Sequence, residues 1–178
     1  LVYVVDNENH RIQVFSHESP PATIAGFSAN ITSGPAPLTV RFTDTSAGSP
    51  TAWIWDFGDG DSTNATINNP IHTYTEAGTY TVTLVASNEF GSDSEKKEGL
   101  ITAFVVVTLP GQTGLPTDPN HDNIYEDLNA NGRLDFADVV LYFNQMTWIS
   151  ANEPVVAFDL NKNGRIDFAD IVALFNMI

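Results

Sequence analysis

Asp127-Leu128-Asn129-Ala130-Asn131-Gly132-Arg133-Leu134-Asp135-Phe136-Ala137-Asp138 is followed, 32 residues later, by Asp159-Leu160-Asn161-Lys162-Asn163-Gly164-Arg165-Ile166-Asp167-Phe168-Ala169-Asp170. Each copy runs on into an apolar stretch that reaches Phe-Asn, at Phe143-Asn144 and Phe175-Asn176. The same polar skeleton thus occurs twice in the last third of the chain. Both copies place oxygen-bearing side chains at alternate positions ahead of a glycine.

That spacing is the one a calcium ion demands. The ion takes six to eight oxygens, and an EF-hand loop supplies them from positions 1, 3, 5, 7, 9 and 12. Positions 1, 3 and 5 are Asp127, Asn129 and Asn131 in the first copy and Asp159, Asn161 and Asn163 in the second. Gly132 and Gly164 stand at position 6, where the turn needs a positive φ. Position 7 contributes only a backbone carbonyl, so the Arg133 and Arg165 side chains are free to face solvent. Asp135 and Asp167 fill position 9, and Asp138 and Asp170 fill position 12, where the EF-hand pattern has Glu. The shorter side chain reaches an ion if the following helix begins close to it. Leu134 and Ile166 at position 8 are placed to pair their backbones and clip the loops together. Three carboxylates per loop predict modest affinity, nearer the roughly 10⁻⁴–10⁻³ M of extracellular modules than that of cytosolic buffers.

After each loop the apolar residues fall at i, i+3, i+4 and i+7: Phe136, Val139, Val140, Phe143 and Phe168, Ile171, Val172, Phe175. The spacing predicts two helices whose stripes bury one another in a small two-fold core. A unit of about 60 residues has little core to spare, so metal binding is expected to supply part of its folding energy. Upstream, Asp118, Asn120, Asp122, Glu126 and Asp127 form a D-x-N-x-D run with Asn123 at the glycine position. Asn tolerates the left-handed region better than most residues. The run reads either as a third metal site or as a solvated acidic linker.

Loop followed by helix, twice, with Asp at position 12 and no helix-forming segment before the first loop, resembles a dockerin module. The resemblance covers about residues 118–178 and implies calcium-dependent docking to a cohesin receptor. It also implies that the receptor meets the starts of the helices, at Phe136, Ala137, Phe168 and Ala169, with Leu141, Tyr142 and Leu174 nearby. Dockerins often carry a hydroxyl pair where this chain has Phe-Ala, and the Phe rings read equally as core. Because the copies match, either helix could face the receptor, in two orientations related by the pseudo-two-fold.

Residues 22–108 have a different rhythm. Leu38, Val40 and Phe42 alternate with Thr39, Arg41 and Thr43, and Tyr80, Val82, Leu84 and Ala86 alternate with threonines and Val85. Trp53, Trp55 and Phe57 share one face of a strand by parity and are expected in the core. Short alternating strands between turn clusters predict an all-β sandwich. The run Trp55-Asp56-Phe57-Gly58-Asp59-Gly60, with His72-Thr73-Tyr74 and Gly78-Thr79-Tyr80, resembles a PKD domain, an immunoglobulin-like sandwich of extracellular proteins. Asp56, Asp59 and Asp61 read as turn formers, with a metal site as the competing account. His72, with no His or Cys partner, reads as a hydrogen-bonded structural residue.

Residues 1–16, with Tyr3-Val4-Val5-Asp6 and Asn9-His10-Arg11-Ile12-Gln13-Val14-Phe15, resemble a partial NHL repeat of a β-propeller; an ordinary hairpin is the alternative. Residues 17–21 and 109–117, rich in Pro, Gly and polar residues, read as linkers. The fold class expected is an all-β immunoglobulin-like sandwich followed by a small all-α calcium-loop module. The opening stretch lacks a basic n-region and begins inside a strand pattern, as expected of a C-terminal part of a longer chain.

The 178 residues carry a formal charge of −15, which argues against nucleic acid and favours divalent cations. With no cysteine, disulfide and zinc-thiolate chemistry are excluded. No stretch is apolar for the roughly 18 residues of a membrane helix. No nucleophile elbow, phosphate loop or zinc-protease motif occurs. The acids sit at calcium spacing rather than as an acid–base pair. The chain is therefore expected to be non-catalytic and extracellular or at the cell surface. It would dock to a cohesin-like receptor, or serve as a calcium-stabilised clamp against a neighbouring surface domain. A carbohydrate-binding accessory role is a third reading, for which Trp148 is the one unassigned tryptophan. Two calcium ions are expected, and a third if the 118–126 run binds.

Overall fold

The computed structural model describes residues 2–6, 11–15 and 21–178. β1 (Val2–Asp6) and β2 (Arg11–Phe15) pair antiparallel, with Val2 opposite Phe15 and Asp6 opposite Arg11. The turn at 7–10 and the linker at 17–20 lie outside the described residues.

From residue 22 the chain forms two facing sheets. One has the order β3 (Phe27–Ala29), β5 (Leu38–Asp44), β7 (Ile71–Tyr74). The other has the order β4 (Ser33–Pro35), β9 (Gly91–Phe104), β8 (Gly78–Asn88), β6 (Ala52–Asp56). Alternation decides which side chains meet between them. Leu38, Val40 and Phe42 point inward from β5, while Trp55, Val82, Leu84 and Ala86 point inward from the other sheet. Trp55 and Phe57 are buried as their parity requires; Trp53, at the edge, is half-buried and donates its Nε1–H to Asp44 at 2.7 Å. His72 stacks on Phe57 with centroids 4.0 Å apart and bonds Asp59 Oδ2 at 2.7 Å. Asp56, Asp59 and Asp61 instead cap turn N–H groups at Gly58, Asp61 and Thr63. Turn formation therefore accounts for them.

β9 is longer than its apolar residues suggest, because its first half is charged. Asp93 and Glu95 accept from the backbone N–H groups of Ala25 and Phe27, and Lys97 donates to the Phe27 carbonyl. The charged side chains thus satisfy the backbone of the facing sheet's edge, a role that hydrophobic periodicity does not register.

The C-terminal region holds α1 (Phe136–Asn152), α2 (Val155–Phe158) and α3 (Phe168–Phe175). Its core is Leu128, Tyr142, Ile149, Ala157, Phe158 and Leu174, all inaccessible to solvent, with Val139 and Ile171 nearly so. Tyr142 O–H donates to the Phe158 carbonyl. The predicted burial of one stripe against the other needs correction. Phe136, Val140, Phe143, Phe168, Val172 and Phe175 face each other across an open groove, each between 43% and 59% exposed. α1 is apolar around more than half its circumference, and the stripe that enters the core is the neighbouring one, Val139, Tyr142, Met146 and Ile149.

The stretch leading into this region is anchored at both ends, with Pro110, Gly111, Thr113 and Leu115 exposed between. Phe104, Val106 and Leu109 belong to the helical core, and Pro116 is buried. Glu153, which ends α1, accepts the Val107 N–H at 3.2 and 3.4 Å. Burial pushes its carboxyl up to about 7, against the opposing pull of that N–H. The folded chain therefore holds this proton more tightly than the unfolded chain does. Its contribution is fully present below pH about 4.5, the ordinary glutamate value, and is lost as pH rises towards 7. Glu153→Gln keeps an acceptor for Val107 without the charge. In saturating calcium, the midpoint difference between pH 5 and pH 8 in thermal melts is expected to shrink in this variant.

Candidate metal centres

Both repeated segments fold into the same loop. In the first, Asp127 accepts the N–H groups of Asn131 at 3.1 Å and Gly132 at 2.9 Å. Asn129 accepts Asn131 N–H, and Asn131 accepts Arg133 N–H. In the second, Asp159 takes Asn163 and Gly164 at 3.0 and 2.6 Å, and Asn161 and Asn163 repeat the remaining bonds. Position 4 is left-handed in both (Ala130 φ 59°, Lys162 φ 60°), and so is position 6 (Gly132 φ 80°, Gly164 φ 83°). These turns direct the odd-numbered side chains to one side of the backbone. The Arg133 and Arg165 side chains are exposed.

The helix that follows starts inside the loop. Asp135 and Asp167 at position 9 are the N-caps, accepting from Ala137 and Ala169 at 2.8 Å. Asp138 and Asp170 at position 12 are N3, each accepting the N-cap N–H in a capping box. Their second oxygens reach across the loop, to Leu128 and Asn129 N–H in one copy and to Asn161 N–H in the other. An aspartate reaches this far because the helix begins at position 10. The sequence missed the short helix α2, which delivers Asp159. It also missed the Thr117–Asp127 bridge, where Thr117 Oγ1 donates to Asp127 at 2.7 Å. Leu134 and Ile166 do not pair their backbones among the described residues; their side chains pack, half-buried, on the helical core instead.

Asp127, Asp138 and Asp170 are at most 0% exposed and Asp159 is 8%. Burial pushes the Asp138 and Asp170 carboxyls above their usual range. Backbone N–H groups oppose the shift and neighbouring aspartates add to it. Among the described residues no base answers these charges: the ion pairs are His72–Asp59, Lys96–Glu98 and Lys97–Glu95, all in the sandwich. Clustered buried carboxylates, amide oxygens and backbone carbonyls form a donor set that fits a hard divalent cation.

Asp118, Asp122 and Glu126 offer carboxylate oxygens within 4.8 Å of one another, and burial lifts Glu126 to about 7. Of the residues expected to face a receptor, Phe136, Ala137, Phe168 and Ala169 are exposed and Leu141 is half-buried. Tyr142 and Leu174 are wholly buried, which corrects their assignment to that face: they point one helical step away, into the core. The groove adds Val140, Phe143, Val172 and Phe175, which periodicity had placed in the core. It encloses about 360 Å³. Phe136 meets Phe175 and Phe143 meets Phe168, both edge-on with centroids 6.4 Å apart, so α1 and α3 run antiparallel about a pseudo-dyad.

Residues 17–103 match the PKD domain family, residues 125–178 the dockerin type I domain and residues 1–15 the NHL repeat. Two successive stretches of the chain thus match a PKD domain and a dockerin type I domain; both are non-catalytic modules typical of extracellular proteins, and dockerin type I domains bind calcium. It is 28% identical to the collagenase ColQ1 of Bacillus cereus over 119 residues, 57% of this chain and 12% of that protein. It is 44% identical to the collagenase ColA of Bacillus cereus over 46 residues, 26% of this chain. The chain therefore spans 5% and 12% of the length of these curated relatives. Among solved structures, the PKD1 domain of the Vibrio cholerae metalloprotease PrtV is 31% identical, covering 47% of this chain and 98% of its own, with a TM-score of 0.40. A solution structure from Methanosarcina mazei is 35% identical, covering 57% of this chain and 71% of its own, with a TM-score of 0.36. No helix of the described residues is long and apolar enough to cross a membrane.

A Cβ on Gly164 would meet open space, so substitution there is opposed by the positive φ alone. Gly164→Ala is expected to destabilise the second loop by about 1–2 kcal/mol of left-handed strain. Gly164→Asn should destabilise it less, and thermal melts measure both.

Proposed function

We propose that residues 118–178 are a calcium-folded docking module that engages a cohesin-type receptor outside the cell or at its surface, with the sandwich as its non-catalytic support. The observation that carries this reading is the double role of Asp138 and Asp170. Each is a buried carboxylate of a loop and, at the same time, the N3 residue of a helix that lines the groove. Neutralising the loop charge with calcium stabilises the helix start, and the helix start carries the exposed Phe-Ala pair.

In this reading the first ion is held by Asp127, Asn129, Asn131, the Arg133 carbonyl, Asp135 and Asp138. The second is held by Asp159, Asn161, Asn163, the Arg165 carbonyl, Asp167 and Asp170. The receptor presents an apolar surface to Phe136, Val140, Phe143, Phe168, Val172 and Phe175. The pseudo-dyad offers it two equivalent orientations. The collagenase relatives suggest that such modules serve as accessories within longer proteins.

A second reading, a calcium-stabilised clamp between neighbouring domains, draws on the packing of Phe104, Val106 and Leu109 into the helical core. The two readings use different residues and are compatible. Half-burial of Trp53 and Trp148 weighs against a carbohydrate platform.

The deciding experiment follows far-UV circular dichroism of the full chain while calcium is restored after chelation. Helical signal should rise with calcium, and Asp127→Ala and Asp159→Ala should each lose one bound ion. A chain equally helical without calcium would refute the reading. For the groove, Phe143→Glu with Phe175→Glu should abolish capture by a panel of immobilised cohesins while leaving the calcium count unchanged. Undiminished capture would place the docking face elsewhere.

A further inference from the structure

We propose that residues 118–126 form a third calcium site, a truncated copy of the two later loops set against the sandwich. The likeness to those loops rests on reading them as calcium loops; the orphaned acid described below stands without it.

The backbone repeats the bonds of the later loops and adds one, from His121 N–H to Asp118 at 2.7 Å. Asp118 accepts Asp122 N–H at 3.2 Å and Asn123 N–H at 2.7 Å, as Asp127 does from Asn131 and Gly132. Asn120 accepts Asp122 N–H at 2.9 Å, and Asp122 accepts Ile124 N–H at 2.9 Å, matching positions 3 and 5 of the other copies. His121 (φ 64°) and Asn123 (φ 68°) take the left-handed turns of positions 4 and 6. Asn does the work of glycine there.

Position 9 is Glu126. Its side chain is 1% exposed and lies within 4.8 Å of the Asp118 and Asp122 carboxylates. One oxygen accepts the Asn120 amide, and the other, Oε2, is buried with no hydrogen-bond partner. A buried acid with an orphaned oxygen, aimed at two further acids, is an arrangement that a cation resolves and that water-exposed turns do not need. Position 12 would fall on Asn129, which already serves the first loop at position 3. The longer reach of Glu126 over the aspartates at position 9 of the later loops compensates for that missing ligand. The donors are then Asp118, Asn120, Asp122, the Ile124 carbonyl and Glu126, all oxygens, as a hard divalent ion prefers.

The position of the loop gives this site a distinct consequence. Asp122, Asn123 and Ile124 line a cavity with Ser33 of β4 and Asp159 of the second loop. Tyr125 donates its N–H to Ala157 at 2.8 Å, stacks on Phe158 and meets Phe104 at the end of β9 edge-on. An ion at 118–126 therefore fixes the segment that joins the sandwich to both later loops.

Equilibrium dialysis of the full chain against calcium chloride, with bound metal counted by atomic emission, tests the assignment. The native chain is expected to hold three ions per molecule. Glu126→Gln and Asp118→Asn should each hold one fewer, with the helical circular dichroism of the calcium-loaded chain retained. Asp159→Asn, in parallel, removes the second-loop ion. A count that neither upstream variant lowers overturns the third site and leaves the later loops standing. If Asp159→Asn loses nothing while Glu126→Gln loses one ion, the upstream site stands and the later-loop reading fails. Retained helical circular dichroism in either upstream variant shows that its lost ion is a lost ligand and not lost folding.

Discussion

The organising constraint of the C-terminal half is charge buried without a base. Asp127, Asp138, Asp159 and Asp170 are removed from solvent, and among the described residues no lysine, arginine or histidine reaches them. Backbone N–H groups satisfy their hydrogen bonds but supply no net charge. Burial first, and neighbouring carboxylates second, raise the proton affinity of Asp138 and Asp170. Their positions are otherwise well determined: each is bonded to the backbone of its own loop, and two of the four also fix a helix start. The geometry is thus specified locally, while its electrostatics calls for a partner of opposite charge.

A second constraint is the shortage of core. The helical region alone offers few large buried residues, and it borrows Phe104, Val106 and Leu109 from the strand end and the segment after it. This explains why Leu109, at the start of a stretch with linker composition, is buried in the module. It also explains the place of Glu153, which closes α1 onto the Val107 backbone. Packing on this side leaves the groove side unpaired, with apolar rings that meet only at their edges.

The loops were legible because ligand spacing and a left-handed glycine are local demands, written into a dozen residues each. The sandwich core was legible where apolar and polar residues alternate strictly, as in Leu38–Asp44. Three features were not. The first half of β9 is charged because its acids and Lys97 bond the backbone of residues 25–27, a long-range role invisible to hydrophobic patterning. The helix face that enters the core could not be chosen, because α1 carries two adjacent apolar stripes and a 3.6-residue period fits either. The burial of Tyr142 and Leu174 follows from that same choice. Loop 118–126 was ambiguous because its glycine position holds Asn and its last acid comes early; only the seclusion of Glu126 separates it from an acidic turn.

The coincidence of loop and helix at Asp135–Asp138 and Asp167–Asp170 has a further consequence for when the groove exists. Under the proposed calcium binding, a side chain that is at once ligand and cap would make the first turn of each helix conditional on the ion. Phe136 and Phe168 sit on those first turns and face each other's helices across the dyad. Where calcium is scarce, both ends of the groove would fray together and its rings would lose their mutual register. For a chain made in one compartment and used in another, premature adhesion would then be prevented by ionic environment alone, with no inhibitor or chaperone required.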